Sequence, residues 1–194
     1  MDEPHLIVVR HGATAWSETG QHTSHTDLGL TAGGLAEAQR LRPWLQTRAP
    51  AQVWVSPLRR ARETAEACGY PHGQAVNELH EWDYGDYEGL TTPQIQDRFP
   101  GWSVFEHGGA GPQGETPEQV ARRIDNLIER VLASPGLPVL AFAHGHLLRA
   151  LAARWMELPI AAGERLALNS GSIGLLGLRH GRRTVLGWNI RHPE

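Results

Sequence analysis

The chain of 194 residues contains no lysine, because all 18 of its Lys and Arg residues are arginine. Without lysine it cannot form a Schiff base with a substrate or with pyridoxal phosphate, and it lacks the lysine of a nucleotide-binding phosphate loop. Its one cysteine, Cys68, excludes an intramolecular disulfide and fits a reducing compartment. The residues after Cys68 lack the arginine that a cysteine phosphatase needs, so we expect this thiol to be a small buried filler.

Long apolar runs and long basic runs are also missing. No stretch approaches the roughly 20 apolar residues of a membrane span, and the apolar run at 6–9 is too short for a signal peptide. We therefore expect a cytoplasmic protein with no membrane partner. The formal net charge is −3, and no basic cluster is long enough to follow a nucleic-acid backbone. We expect no nucleic-acid partner, and the sequence leaves the oligomeric state, including a homodimer, open.

Short apolar runs alternate with segments typical of helices. The short apolar runs at 6–9, 53–55 and 139–143 predict buried strands. Strands that alternate with helices indicate an α/β protein, with a mostly parallel central sheet in a three-layer α/β/α fold. Two further runs, at 172–178 and 184–190, flank a turn-like RHGRR and predict a C-terminal hairpin at the edge of the sheet.

Capping signals predict where several helices begin. Thr31 and Thr116 are typical N-caps, and Thr116 opens a capping-box pattern. Ser56 would be the N-cap, and Pro57 the first-turn proline, of a helix that continues to about residue 67. A further helix is predicted to open at Gly145.

The length predicts one domain spanning 1–194, at roughly 150 residues per domain. The stretch of about 83–115 is too long for a plain connection. We expect it to form a lid over the carboxyl ends of the strands, where ligands bind in such sheets.

A histidine followed by a glycine comes directly after two of the predicted strands, at His11-Gly12 and at His144-Gly145. Packing does not require histidine at the end of a buried strand, and two at one edge of a sheet could face each other across a ligand crevice. Glycine would let a backbone N–H approach the ligand without a Cβ in the way. Each histidine alone is compatible with a structural role, but the pair and the adjacent Arg10 favour a functional one.

Three arginines stand at the predicted start of the helix after the second strand. Arginine in a first turn opposes the helix macrodipole, unless it holds an anion that the helix N-terminus also favours. Arg60 is the candidate for that role, and we expect Arg59 and Arg62 to point to solvent. Two arginines and two histidines, without a recognisable metal motif, indicate a phosphate site.

Phosphoryl transfer needs charge neutralisation, in-line positioning and a nucleophile. A neutral imidazole suits phosphorus because it carries no charge for the phosphate oxygens to repel. The leaving oxygen needs a proton from a nearby carboxylic acid, which contributes about 10²- to 10⁴-fold in rate. The acidic segment 78–89 offers several candidates, and physical chemistry alone does not choose among them.

Four motifs, in this order along nearly the whole chain, resemble the histidine phosphatase superfamily, in the branch of the cofactor-dependent phosphoglycerate mutases and their phosphatase relatives. They are RHG at 10–12, SPLRRARETA at 56–65, EWDYG at 81–85 with EG at 88–89, and AHG at 143–145. The resemblance implies that His11 becomes phosphorylated and that Glu81 protonates the leaving oxygen and later activates water. It also implies that the phosphoryl group is surrounded by Arg10, Arg60 and His144.

The chain departs from the mutases of this family in the loop after the nucleophile. Where they carry Asn and Thr-Gly, this chain has Ser17 and Thr23-Ser24. Serine can still donate to a phosphate oxygen, so the candidate substrate-binding residues are Ser17, Thr23, Ser24 and Gly145. The interval from Glu81 to His144 is shorter than in the mutases, and it resembles that of the broad phosphatases and the small sugar-bisphosphatases. A less enclosed site admits water, which favours hydrolysis.

The remaining histidines and aromatic residues have less specific interpretations. We expect His22 and His25 to be solvated loop residues. His146 invites a metal site, but neither a carboxylate nor a further histidine lies close enough in sequence to complete one. Three aromatic side chains could line a leaving-group pocket or pack in the core or lid, namely Trp82, Trp102 and Phe105.

The sequence thus predicts a metal-independent phosphomonoesterase of the histidine acid phosphatase type, with no cofactor, that acts on a small phosphorylated substrate such as a sugar phosphate. Because His11 must be neutral and Glu81 protonated, we expect activity to favour acidic to neutral pH. Three alternatives remain: a phosphoglycerate mutase, a metal-dependent hydrolase using His144 and His146, and a non-catalytic phosphate-binding module.

Overall fold

The computed structural model describes residues 3–191, and its centre is a six-stranded sheet. The strands are β1 (Pro4–Arg10), β2 (Gln52–Val55), β3 (Gln74–Ala75), β4 (Val139–Ala143), β5 (Ile173–Arg179) and β6 (Arg182–Ile190). Their order in the sheet is β3-β2-β4-β1-β5-β6. Three of the five pairings are parallel, whereas β5 runs antiparallel to both β1 and β6. The predicted mostly parallel sheet and the C-terminal hairpin at its edge are confirmed.

Helices cover both faces of the sheet. They are α1 (Ala15–Thr19), α2 (Ala32–Gln46), α3 (Arg59–Ala67), α4 (Thr92–Gln96), α5 (Val104–His107), α6 (Pro117–Leu132) and α7 (Gly145–Trp155), with 3₁₀ turns at Asn77–Leu79 and Ile160–Arg165. Side chains alternate along β1, so that Leu6 and Val8 pack in the cluster with α6 and α7, while Ile7 and Val9 pack in the cluster with α2 and α3. This arrangement is the predicted three-layer α/β/α fold.

Two of the predicted caps are confirmed and one is wrong. The hydroxyl of Thr31 accepts the N–H of Gly34 at 3.1 Å, and Thr116 caps α6 in a capping box. However, α3 begins only at Arg59, and its N-cap, Leu58, makes no side-chain hydrogen bond. Ser56 does not cap α3, because it lies beyond the end of β2 and its hydroxyl is held within hydrogen-bond distance of a buried histidine of the site.

The stretch 83–115 contributes to the core as well as to the surface. Ile95, Trp102 and Phe105 are buried in the larger hydrophobic cluster, together with Trp82 just before the stretch. These aromatic residues therefore pack in the core. Whether the stretch closes over a ligand stays a prediction.

The structure bears on two further expectations, the role of Cys68 and the lack of a membrane-spanning segment. Cys68 is buried, and burial raises the pKa of its thiol to about 12, which agrees with an inert filler. Among residues 3–191, no helix is both long enough and apolar enough to cross a membrane.

Candidate active site

A cavity of about 240 Å³ opens at the carboxyl ends of β1 and β4, the edge where open α/β sheets bind ligands. Its wall contains six of the candidate residues, namely Arg10, His11, Ser17, Thr23, Glu81 and Gly145. Eight further residues complete it, namely Thr14, Gly20, Gln21, His22, Tyr84, Thr92, His146 and Arg149. The remaining candidates, Ser24, Arg60 and His144, lie behind this wall and are fully buried.

His11 is placed by the end of β1, where its backbone N–H donates to the carbonyl of Ala143 at 3.0 Å. Its Nδ1 lies 2.7 Å from the carbonyl oxygen of Gly12. Because a carbonyl can only accept, Nδ1 carries the proton and Nε2 keeps a free lone pair. Burial, and then the charges of Arg60 and Arg10, hold the pKa of His11 well below its usual value. His11 is therefore a neutral imidazole with one nitrogen available as a nucleophile.

The ring of His144 lies 5.3 Å from that of His11, centroid to centroid, but it does not face the cavity. The Nε of Arg60 donates to Nδ1 of His144 at 3.1 Å. The proton of His144 is therefore on Nε2, which donates to the hydroxyl of Ser56 at 2.7 Å. Burial, followed by the charge of Arg60, keeps the pKa of His144 well below its usual value. The expectation that both imidazoles face the crevice is wrong for His144, because its two nitrogens are both engaged inside the protein.

Arg60 and Glu88 hold the loop 23–26 from two sides. The guanidinium of Arg60 donates to the backbone carbonyls of Thr23 at 3.0 Å and of Ser24 and Thr26 at about 3.4 Å. The carboxylate of Glu88 accepts the backbone N–H groups of Ser24 at 3.0 Å and of Thr26 at 2.9 Å. Ser24 is enclosed between them and does not reach the cavity, so direct phosphate contact by Ser24 has no support in this geometry.

The carboxyl group of Glu81 lies at the N-terminus of α7. Its Oε1 accepts the backbone N–H groups of Trp82 at 3.0 Å and Leu147 at 2.8 Å, and its Oε2 accepts that of His146 at 3.1 Å. Two of these donors belong to the first turn of α7, where N–H groups have no intrahelical partner. Oε2 accepts one hydrogen bond, whereas Oε1 accepts two. Oε2 is therefore the oxygen that has room for a proton.

The glycines after the two histidines make room for neighbouring groups. The expected ligand access is wrong for Gly12, whose N–H donates to the Thr64 hydroxyl at 3.1 Å, and stays a prediction for Gly145. A Cβ on Gly145 would lie 3.2 Å from both Nε and Cζ of Arg10, so glycine makes room for that guanidinium. A Cβ on Gly12 would collide with the carbonyl oxygen of Gly34 in the first turn of α2. Arg10 is anchored through Nη1 to the carbonyl of Leu168 at 2.5 Å, whereas its buried Nε has no hydrogen-bond partner.

Ser17 and Thr23 lie on the wall with their hydroxyls already engaged. The Ser17 hydroxyl accepts the N–H of Thr14 at 2.8 Å and donates to its carbonyl at 3.0 Å, which closes the capping box of α1. The Thr23 hydroxyl donates to the carbonyl of Gln21 at 3.2 Å. Each hydroxyl must give up the hydrogen bond that it now donates to a backbone carbonyl before it can donate to a phosphate oxygen.

His22 is buried, so the expectation of a solvated loop residue is wrong. Its ring centroid lies 4.7 Å from that of Tyr84 and 5.3 Å from that of Trp102, and its Nε2 lies 3.2 Å from the Thr92 hydroxyl. His25, in contrast, exposes 63% of its side chain and lies 2.8 Å from Asp83, which agrees with the expectation.

Unfolding measurements should show stability decreasing as the pH falls. Burial lowers the pKa of His22 from 6.5 to about 4. Between these values the unfolded chain binds a proton that the folded protein rejects, so stability present above pH 6.5 is lost on the way to about pH 4. One such group contributes on the order of 3 kcal/mol to this loss. His11, His144 and His146 act in the same direction.

Urea unfolding across this pH range would test the effect in the wild type and in His22→Leu. We expect a smaller loss of stability in the variant, with the remainder coming from the other buried histidines. His72→Leu, at an exposed position, should keep the wild-type dependence. An unchanged pH dependence in His22→Leu would contradict the assignment.

The sequence did not assign four of these wall residues to the phosphate site, namely Tyr84, Thr92, His146 and Arg149. The Tyr84 hydroxyl lies 2.6 Å from Nδ1 of His146. Burial raises the pKa of Tyr84 and lowers that of His146, so a neutral hydroxyl and a neutral imidazole share this hydrogen bond. His146 and Arg149 are three residues apart on α7, a spacing that could have marked them as neighbours on one helix face. Thr92 had no signal in the sequence.

Within residues 3–191, no group of three or more His, Cys, Asp or Glu side chains is placed to hold a metal ion. The ring of His146 instead packs against two other rings. Its centroid lies 5.4 Å from that of Phe105 and 5.4 Å from that of His22.

Several known proteins resemble this chain over most of its length. The sequence profile of the histidine phosphatase superfamily (branch 1) matches residues 6–191. An acid phosphatase of Mycobacterium tuberculosis is 42% identical over 195 residues, covering 97% of this chain and 94% of that protein. The sedoheptulose 1,7-bisphosphatase of Saccharomyces cerevisiae is 34% identical over 191 residues, covering 81% and 69%. A solved structure from Mycobacterium tuberculosis has a TM-score of 0.91 at 39% identity, covering 97% of this chain and 98% of that one. Phosphoglycerate mutases are among the further relatives.

Proposed function

Since this chain belongs to the histidine phosphatase superfamily and has relatives named as phosphatases, we propose that it is a metal-independent phosphoric monoester hydrolase of the histidine acid phosphatase type. Its substrate is a small phosphorylated metabolite such as a sugar phosphate, and its intermediate is a phosphohistidine. The observation that carries the proposal is His11, a neutral imidazole on the cavity wall whose Nδ1 is tied to a carbonyl and whose Nε2 is free.

In the first half of the reaction, Nε2 of His11 attacks phosphorus and the bond from phosphorus to the leaving oxygen breaks. The proton on Oε2 of Glu81 passes to that oxygen, so the product leaves as an alcohol. The unpartnered Nε–H of Arg10 supplies a charged donor for a phosphoryl oxygen.

In the second half, a water molecule attacks the phosphohistidine. The Glu81 carboxylate takes a proton from this water, the bond between nitrogen and phosphorus breaks, and His11 returns to its neutral form. Inorganic phosphate is released with Glu81 protonated again. Nearby Tyr84 remains a neutral hydroxyl throughout, because burial keeps its pKa well above the usual value.

In this proposal, Arg60 and His144 support the site from behind the phosphoryl group. Arg60 holds the loop carbonyls and the His144 ring, and its charge helps keep His11 neutral. The direct phosphate contacts that the family resemblance implies would require Arg60 or His144 to exchange a present partner for a phosphate oxygen.

Phosphate release measured beside phosphoglycerate interconversion, with and without a chelator, tests the proposed function. We expect the enzyme to release inorganic phosphate from phenyl phosphate and sugar phosphates, without interconverting 2- and 3-phosphoglycerate and without loss of activity in EDTA. Interconversion would show a mutase, and loss of activity in EDTA would show a metal-dependent hydrolase. Phosphate binding without turnover across the panel would show a non-catalytic module.

A further inference from the structure

Glu81 lies in a stretch of the chain without regular secondary structure. Residues 81–84 belong to neither a helix nor a strand, although the proposed mechanism needs the carboxyl group of Glu81 at a fixed place. Backbone N–H groups at the start of α7 hold that carboxyl group. The main chain that carries it needs support of its own, because a displacement of about 1 Å can slow a catalysed step about 100-fold.

Arg123, on α6, holds the main chain up to Glu81 with its guanidinium. Its Nη1 donates to the backbone carbonyls of Glu78 at 2.9 Å and His80 at 3.0 Å, and its Nη2 donates to that of Glu81 at 3.2 Å. The other two N–H groups donate to the carboxylate of Glu115, from Nε at 2.7 Å and from Nη2 at 2.8 Å. All five N–H groups of the guanidinium are therefore engaged, which fixes its plane.

Glu115, just before α6, holds the main chain that follows Glu81. Its Oε2 accepts the backbone N–H of Asp83 at 2.9 Å, and its own backbone N–H donates to the carbonyl of Asp83 at 2.9 Å. Its backbone carbonyl accepts the indole N–H of Trp82 at 2.9 Å. Arg123 and Glu115, which are paired with each other, thus hold the chain both before and after the proposed acid.

The pair lies outside the active-site cavity. Glu81 lines that cavity and also a second one, of about 300 Å³, whose wall includes Arg123 and Glu115. On the side of the second cavity, hydrogen bonds rather than close packing must hold the chain at Glu81. The side chains of Arg123 and Glu115 expose only 17% and 23% of their surface, so water screens this two-point ion pair less than it screens a surface pair.

We propose that Arg123 and Glu115 are positioning residues, which fix the main chain of Glu81 so that its carboxyl group reaches the leaving oxygen of the substrate. The inference rests on the proposed function, in which Glu81 protonates that oxygen. Since neither residue of the pair lines the active-site cavity, their loss should slow the chemical step and leave substrate binding unchanged.

Two substrates that differ in their need for the acid test the role of Arg123. Phenyl phosphate and p-nitrophenyl phosphate differ by one nitro group, which lets p-nitrophenolate leave without a proton. We expect Arg123→Met to slow the first turnover of phenyl phosphate about tenfold or more relative to p-nitrophenyl phosphate, with unchanged half-saturating concentrations, in rapid-quench measurements with enzyme in excess. Because this rate ratio does not depend on the fraction of folded enzyme, a loss of stability alone leaves it unchanged. Equal slowing of both substrates, or no slowing, would overturn the inference.

The matched control is Arg130→Met. Arg130 lies on the same helix and pairs with the side chain of Glu78, rather than with the main chain of the segment that carries Glu81. This variant should keep the wild-type rate ratio. Arg123→Lys, which keeps the charge without the planar fork, should slow phenyl phosphate selectively by a smaller factor and covers the case in which the methionine variant does not fold. An unchanged ratio in the lysine variant would contradict the inference.

A Glu81→Gln background separates this inference from the proposed function. Where the acid is already absent, Arg123→Met should not lower the rate of phenyl phosphate relative to p-nitrophenyl phosphate any further. If Glu81→Gln alone leaves this ratio at the wild-type value, the role of Glu81 in the proposed function fails. If Glu81→Gln lowers the ratio but Arg123→Met does not, or if the two effects multiply, the proposed function stands and the inference is refuted.

Discussion

Replacement of His11 by alanine should reduce phosphatase turnover by about 10⁴-fold or more, because the group that forms the covalent intermediate is lost. The structure ties Nδ1 of His11 to the Gly12 carbonyl and leaves Nε2 as its one nucleophilic atom. The neighbouring His144 offers no free lone pair in its place, because both of its ring nitrogens are engaged. The measurement is steady-state release of phosphate from phenyl phosphate.

The matched control is His72→Ala, which removes an exposed imidazole and should keep wild-type turnover. Rapid alkaline quench after mixing with labelled substrate should trap an acid-labile, alkali-stable phosphoenzyme in the wild type and in the control, but none in His11→Ala. Turnover by His11→Ala at the wild-type rate, or a phosphoenzyme that survives the substitution, would rule out the mechanism.

Substitution of Glu81 by glutamine should give a second large effect, and one that depends on the leaving group. For an alkyl phosphate we expect a loss of about 10²- to 10⁴-fold, because no acid protonates the leaving alkoxide. For p-nitrophenyl phosphate the first step should change far less, because p-nitrophenolate leaves without a proton. The second step still needs a base, so stopped-flow kinetics should show a burst of p-nitrophenol followed by slow turnover.

The glutamine substitution also has a structural cost that needs its own measurement. The amide would turn its NH₂ group against a backbone N–H of His146 or Leu147, each of which now donates to a carboxylate oxygen. We expect a loss of about 1–3 kcal/mol in unfolding free energy. A structural defect alone would slow both substrates equally and produce no burst, and that result would remove Glu81 from its proposed role.

The sequence predicted those parts of the fold that depend on neighbouring residues. The buried strands β1 and β4 are continuous apolar runs, and a sheet covered on both faces requires such runs. Thr31 and Thr116 cap helices through residues three positions away, so a local pattern was sufficient. The placement of His11 beside the cavity follows from the same strand-end rule.

The details that sequence could not predict depend on residues far apart in the chain. Ser56 looks like a helix cap, but its hydroxyl is taken by His144, which is 88 positions away. His22 looks like a loop residue, but Tyr84 and Trp102 enclose it. Gly12 suggests ligand access, but the approach of Gly34 explains it. In each case a distant partner overrides a correct local rule.

Arg60 and Glu88 hold the loop 23–26 through its main chain, since Arg60 binds only its carbonyls and Glu88 only its amides. These contacts are thus independent of the side chains that the loop carries. Substitutions at Thr23, on the rim of the cavity, can accumulate during evolution without rebuilding the segment that displays them. Such a frame lets one catalytic apparatus acquire new substrate preferences by single amino-acid changes.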